Sequence, residues 1–274
     1  MATTQHRFFV DPAVLGGERV LLSGPQAHQM GRVLRLKPGD RVVLVDGVGH
    51  ESVVRLDEVR SSAVSGTIEE RRRSRPEPGP IVTLYQALVP RDRFETVLQK
   101  GTEIGVSRFV PVWCERSIVP GGDKIDAGRL ERWRRIVTEA AEQCERGMAP
   151  EVAAPMRFSE ALSNAEREGA TLVAWEREVD RSVGEGLRWA LDCQSRDRPR
   201  LNLFVGPEGG FSEAEIALAH CPGPVQTISL GSRILRTETA GPIFTALALY
   251  AAGDLVPAAL GSDPARRADR DATG

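Results

Sequence analysis

Two glycine-bearing turns in the last third of the 274-residue chain carry the residue types best suited to hold a ligand. The first is Gly206-Pro207-Glu208-Gly209-Gly210-Phe211, and the second is Leu230-Gly231-Ser232-Arg233-Ile234-Leu235-Arg236-Thr237-Glu238-Thr239. Glycine lets a ligand approach the main chain, and a helix N-terminus offers unpaired N–H groups with a positive dipole end. The first turn has neither the Lys-Ser/Thr of a P-loop nor a GxGxxG fingerprint, so taken alone it reads equally well as a ligand loop or as steric turn glycines. His6, His28, His50 and His220 are scattered, as are Cys114, Cys144, Cys193 and Cys221, with no HExxH or CxxC. Such spacing predicts no metal site, and the cysteines read as reduced, mostly buried thiols.

The elements that must position these turns are legible on either side of them. Apolar runs at 201–205 and 225–229 read as strands, and Ser212 with Glu215 forms a capping box, so a helix starts where the first turn ends. A second helical pattern runs from the second turn to about Tyr250. Turns spaced this way are expected at the carboxyl ends of neighbouring parallel strands, where open α/β sheets bind ligands. Upstream, strand patterns at 81–88, 108–114 and 171–175 alternate with helical patterns at 91–105, 126–144 and 181–191. Such alternation predicts an α/β domain, a parallel sheet with helices on both faces. The polar stretch 176–180 should lie at the same sheet edge as the turns.

The first 70 residues differ. Short valine- and leucine-rich runs at 7–10, 19–22, 41–46, 52–59 and 63–69 surround one helical segment, 26–36, with Ala27, Met30, Val33 and Leu34 on one face. Five strands and a helix in so short a span predict a small β-barrel. Arg71-Arg72-Arg73-Ser74-Arg75-Pro76-Glu77-Pro78-Gly79-Pro80 reads as a break. The expected domains are therefore 1–72, a linker at 73–80, a second domain at 81–253, and a disordered tail at 254–274. The composition, 41% apolar and 27% charged, is that of a globular protein. With no apolar run of membrane length and no signal-peptide core, the cytoplasm is the expected location. A net charge of −2 requires that any nucleic-acid partner be held by a local basic patch.

GPEGGFSEAEI followed by LGSRILRTETA closely resembles the paired motifs of the SPOUT methyltransferases of the RsmE type, which methylate N3 of a uridine in 16S, small-subunit, ribosomal RNA. The resemblance extends through Gln99-Lys100-Gly101-Thr102-Glu103-Ile104-Gly105-Val106, through Glu115-Arg116, and through Glu142-Gln143-Cys144-Glu145-Arg146. Near the start, His28, Val33-Leu34-Arg35, Gly39-Asp40 and Asp46-Gly47 resemble the family's PUA-like RNA-binding domain. The resemblance implies a C-terminal trefoil knot that holds S-adenosylmethionine, a homodimer with the knots facing each other, and 16S ribosomal RNA or the small subunit as partner. It implies a cofactor pocket at Leu203, Val205, Gly206, Pro207, Gly209, Gly210, Leu230, Gly231, Ile234, Leu235, Thr239 and Ala240. Arg7, Arg32 and Arg35 would contact RNA phosphates, against the plainer reading of solvated arginines. His28 reads as a histidine packed on its helix. One departure is Gly241-Pro242, where the family has small or aliphatic residues; with Thr239 as the cap, Pro242 falls in the first helical turn.

Methyl transfer to uridine N3 needs donor and base held in line, and help for N3 to lose its proton. Arg236 is the candidate for stabilising the resulting anion; its structural alternative is to brace the loop through Glu238 or Glu208. Glu208 is placed either as a brace that accepts loop N–H bonds or as a carboxylate facing the cationic cofactor. The rival functions are a nonenzymatic RNA-binding or ribosome-assembly factor that keeps the fold but has lost the cofactor, and an enzyme using GPEGG as a nucleotide phosphate loop.

Overall fold

Period-two alternation organises the N-terminal residues: in β2 (Arg19–Ser23) Val20 and Leu22 point inward while Leu21 is exposed. The computed structural model describes residues 6–77, 79–118, 125–194, 198–220 and 223–255. They form two units, Met1–Glu77 with Arg134–Pro150, and Pro78–Trp133 with Glu151–Gly274.

In the first unit, β1 (Arg7–Phe9), β2, β3 (Arg41–Val45), β4 (His50–Val59) and β5 (Ala63–Arg73) form one sheet in the order β1-β3-β4-β5-β2. All five expected strands are present, with β1 parallel to β3 and the other pairs antiparallel. The ladder stops at β1 and β2, so hydrogen bonding does not close the sheet into a full barrel. Its core is Phe8, Leu22, Met30, Leu44 and Leu56 with their neighbours. The helical segment is α1 (Gly24–His28) followed by a π turn over Gln29–Val33. The wider turn shifts the helical phase, so Ala27 and Met30 are buried while Val33 is 66% exposed. His28 is exposed as well, against the expectation that it packs on the helix.

The expected break at 70–80 begins too early. β5 continues to Arg73, because Arg71 donates to the carbonyls of Leu15 and Gly17 at 2.6 Å each and Arg72 donates to Glu51 at 2.7 Å. Residues 134–150, read from the sequence as part of the second domain, group with this unit. Glu142 accepts the Phe9 N–H at 2.9 Å, and Arg146 donates to Glu77.

The second unit is the expected α/β layer structure. Its strands are β6 (Ile81–Ala87), β7 (Arg108–Trp113), β8 (Glu151–Val152), β9 (Met156–Arg157), β10 (Ala170–Ala174), β11 (Arg200–Val205) and β12 (Val225–Ile228). The main order is β12-β10-β11-β6-β7-β8, with β9 also on β7, and all pairs are parallel. α4 (Phe158–Glu168) and α6 (Glu213–Ala219) cover one face, where Tyr85 stacks on Phe204 with ring centroids 4.3 Å apart. α2 (Arg91–Ile104), α5 (Val183–Asp192) and α7 (Thr237–Ala251) cover the other. Both faces are therefore dry, and the strands read as nearly continuous apolar runs. The sequence reading lacked β8, β9 and α4. Two-residue strands carry no periodic signal, and α4 holds its buried Phe158, Ala161, Leu162 and Ala165 among seven polar residues.

α3 (Ala127–Gln143) starts as expected, with Asp126 accepting the Arg129 N–H at 2.7 Å. α7 does not: its N-cap is Arg236, with Thr239 already inside the helix and Pro242 in the interior. Of the expected tail, Asp254 is tied to the unit by accepting the Gly79 N–H at 2.9 Å, and residues 256–274 lie outside the described residues, as does Cys221. Among the described residues no helix is long and apolar enough to cross a membrane.

Candidate active site

The first turn leaves the carboxyl end of β11 and is held from several sides. Pro207 C=O accepts the Gly210 N–H at 2.9 Å, closing a tight turn. Gly210 sits at φ 68°, a backbone conformation that favours glycine, and a Cβ there would have to displace the Glu176 carboxylate, 2.5 Å away. Arg116, from the turn after β7, donates to the carbonyls of Gly209 at 2.9 Å and Phe211 at 3.3 Å. Phe211 is buried against Phe158. Ser212 and Glu215 form the expected capping box, and Glu215 also accepts the Glu115 N–H at 2.9 Å. Burial, with the Glu215 carboxylate beside it, pushes the Cys114 thiol well above its usual range, so this cysteine is no nucleophile.

Among the described residues Glu208 accepts no loop N–H; its carboxylate pairs instead with Arg93 of α2. That is a correction to the bracing role read from the sequence, because the first turn of α2 stands opposite the loop and supplies a guanidinium.

The second turn leaves β12, and here the structure departs from the simplest expectation. β11 and β12 are not neighbours, because β10 lies between them. The turns still meet: the Thr237 hydroxyl donates to Gly206 C=O at 2.7 Å and accepts from Gln86 Nε2 at 2.8 Å. The segment 229–236 therefore brings the chain back past β10 to the β11–β6 edge. Gln86, wholly buried at the end of β6, is a site-building residue that the sequence reading missed; its signal was a lone polar residue in the apolar run Leu84-Tyr85-Gln86-Ala87-Leu88.

The polar stretch after β10 lies at this edge as expected. Thr227 donates to Glu178 at 2.5 Å, and although burial opposes it, this bond helps hold the Glu178 carboxyl below its usual range.

Arg236 is exposed at the mouth of this edge, and among the described residues no acid pairs with it. Neither Glu238 nor Glu208 braces it, and one Glu238 oxygen is buried without a partner. Leu203, Val205, Pro207 and Ala240 are buried beneath the turns, Gly206, Gly210, Leu230 and Leu235 are half-buried, and Gly209, Gly231 and Thr239 are exposed. Ile234 is 90% exposed, so its side chain forms no wall. Gly231, at φ 110°, has open space where a Cβ would stand. The edge thus offers apolar residues beneath exposed main-chain groups, which suits a nucleoside with a polar tail. Among the described residues no three His, Cys, Asp or Glu side chains are grouped as a metal would need.

In the first unit, Arg32 and Arg35 are exposed and unpaired among the described residues, Arg35 with a left-handed φ of 54°. Arg7 differs from both readings offered for it. Its side chain is 7% exposed and donates to the buried Glu51 at 2.5 Å, a structural pair in which Arg72 holds the other carboxylate oxygen.

The RNA methyltransferase domain family matches residues 76–249, and the RNA methyltransferase PUA domain family matches residues 22–60. Fold and matches together define an RNA methyltransferase with an appended PUA domain. Ribosomal RNA small subunit methyltransferase E of Synechocystis is 37% identical over 238 residues, 86% of this chain and 74% of that protein. The crystal structure of ribosomal RNA small subunit methyltransferase E from Neisseria gonorrhoeae bound to S-adenosyl methionine superposes with a TM-score of 0.75 at 30% identity, covering 90% of this chain and 96% of that one. A putative methyltransferase from Legionella pneumophila, in complex with its bound cofactor SAM, gives 0.77 at 29% identity, covering 91% and 98%. The chain belongs to the ribosomal RNA small subunit methyltransferase E family.

Proposed function

We propose that this protein methylates N3 of a uridine in 16S ribosomal RNA, using S-adenosylmethionine, and does so as a homodimer in the cytoplasm. The observation that carries the reading is the meeting of the two glycine turns through Thr237, beside an exposed Arg236 that no described acid neutralises. Bound at this edge, S-adenosylmethionine supplies a methyl group on a sulfonium. The turns at 206–210 and 230–235 would hold its nucleoside, with Leu203, Val205 and Ala240 beneath. The target base would lie against Arg236. As N3 loses its proton, negative charge spreads onto the ring oxygens, and a fixed guanidinium lowers the cost of that charge. S-adenosylmethionine held there would give up its methyl carbon to the N3 lone pair and leave as the neutral thioether, with the N3 proton passing to solvent.

The return of the chain past β10 supports a trefoil knot formed by the segments after β11 and β12. A dimer is supported by α7, where Ile243 is 40% and Tyr250 74% exposed on one apolar stripe. Within one chain α7 packs on the sheet and against α2 and α5, and a second copy would cover the remaining stripe at Ile243 and Tyr250. Arg32 and Arg35 support RNA binding by residues 1–72.

Incubating the purified protein with methyl-labelled S-adenosylmethionine and in vitro transcribed small-subunit ribosomal RNA tests the reading. Mass spectrometry should find one N3-methyluridine. RNA binding with neither S-adenosylmethionine binding nor methylation of RNA or assembled subunits would favour the nonenzymatic alternative.

A further inference from the structure

A second cationic feature of the α/β unit is not used by the methyl-transfer site. A cavity of about 500 Å³ is lined by Arg91, Asp126, Gly128, Arg129 and Arg132. Arg91 opens α2, immediately after the carboxyl end of β6, and two residues on Arg93 reaches Glu208 of the first glycine turn. The cavity is therefore in the same unit as the candidate active site, at the first turn of the helix whose Arg93 pairs with Glu208.

Glu95 accepts from Arg91 at 3.0 Å and from Arg132 at 2.7 and 2.8 Å. Asp126 caps α3 through the Arg129 N–H. Arg129 stacks over Trp133 at 5.2 Å from the ring centroid, and its Nε and Nη2 are buried with no partner among the described residues. Burial and then the neighbouring Arg91 lower its pKa, and Glu95 and Asp126 only partly offset them. A buried guanidinium donor left without an acceptor is costly, so an arrangement of this kind is suited to a ligand that supplies one. The ligand must be an anion with several acceptor oxygens.

We infer that Arg91, Arg129 and Arg132 form a subsite for a backbone phosphate of the RNA strand that enters the active site. The inference rests on the RNA-methylating reading above. Three guanidiniums on helices α2 and α3 would fix one phosphate, and so set the register of the strand against Arg236 and the glycine turns. Such contacts position a nucleic acid without reading its sequence.

Binding of labelled small-subunit ribosomal RNA to the full chain, measured from low to high salt beside calorimetry with S-adenosylmethionine, tests this. Arg129→Ala and Arg91→Gln should each weaken RNA binding about tenfold and lower the salt slope by about one, with cofactor affinity unchanged. Arg91 is the safer substitution for folding, since its side chain is 61% exposed and Glu95 keeps Arg132. Arg129→Lys should recover part of the loss. Unaltered RNA affinity and slope in Arg91→Gln and Arg129→Lys would overturn the subsite, and so would lost cofactor affinity in both Arg91→Gln and Arg129→Ala, which would assign the cavity to the cofactor. A wild-type chain that binds S-adenosylmethionine but no RNA would instead overturn the parent reading, and the subsite with it.

Discussion

Arg236 and Thr237 are adjacent in sequence yet do opposite work. Thr237 is buried and spends its hydroxyl on Gly206 and Gln86, whereas Arg236 keeps an exposed guanidinium. Thr237→Val should leave the Gly206 carbonyl and the Gln86 amide unpaired in a buried place, costing about 1–3 kcal/mol of stability and weakening cofactor binding. Thr237→Ser should restore both; chemical denaturation and calorimetry would show it. Arg236→Ala should leave fold and cofactor affinity largely intact and lower the methyl-transfer rate at least about 100-fold, the scale for one transition-state donor. Its charge is needed only as N3 gives up its proton, so the effect belongs in the rate and not in ground-state binding. Arg236→Lys should recover part of that rate in single-turnover assays. Unimpaired turnover by the alanine variant would remove Arg236 from the mechanism.

At the scale of elements, α7 joins the site to the surface we assign to dimerisation. Phe244, Ala248 and Leu249 face the sheet while Ile243 and Tyr250 face outward. Tyr250→Asp should therefore yield a folded monomer by light scattering, with melting temperature within a few degrees of wild type; a dimer that survives it would place the interface elsewhere. The same helix shows where the sequence was readable. The capping box at Ser212, the glycine turns, all five strands of the first unit and the α/β alternation follow from local chemistry, because each depends on residues a few positions apart. The strand order does not, since β10 lies between β11 and β12 for reasons of long-range packing. Nor do the partners of Arg7, Glu208 and Gln86, which lie 44, 115 and 151 residues away. Charge and burial pattern along the chain hold no record of such distant pairs. The start of α7 was misplaced by a smaller cause: Thr239 has capping chemistry, but Arg236 adopts the extended cap conformation and the helix carries Pro242 inside it.

At the scale of the whole chain, the grouping of residues 134–150 with the N-terminal strands gives the first unit its own pH response. Burial pushes the Glu142 carboxyl up to about 7, with Glu139 adding to the rise and the Phe9 N–H opposing it. A carboxyl whose pKa is raised on folding favours the folded state in its protonated form. Its contribution is fully present below the unfolded value of 4.5 and is lost as pH rises through about 7. Glu142→Gln keeps an acceptor for Phe9 and should be more stable than wild type at pH 8, on the order of 1–2 kcal/mol after allowing for partial solvent screening. The two proteins should converge towards pH 4.5 in denaturation curves; parallel curves would show that this carboxyl does not govern the response. The hydrogen bond between Gln86 and Thr237 has a consequence in time. It spans 151 residues, so the edge of β6 is synthesised long before its partner exists. At about 5–20 residues per second the wait is roughly 8 to 30 seconds. For that interval the nascent chain presents one sheet face without the helix that will cover it. The ligand site matures last, and a chaperone that holds bare apolar surface has its clearest task in those seconds.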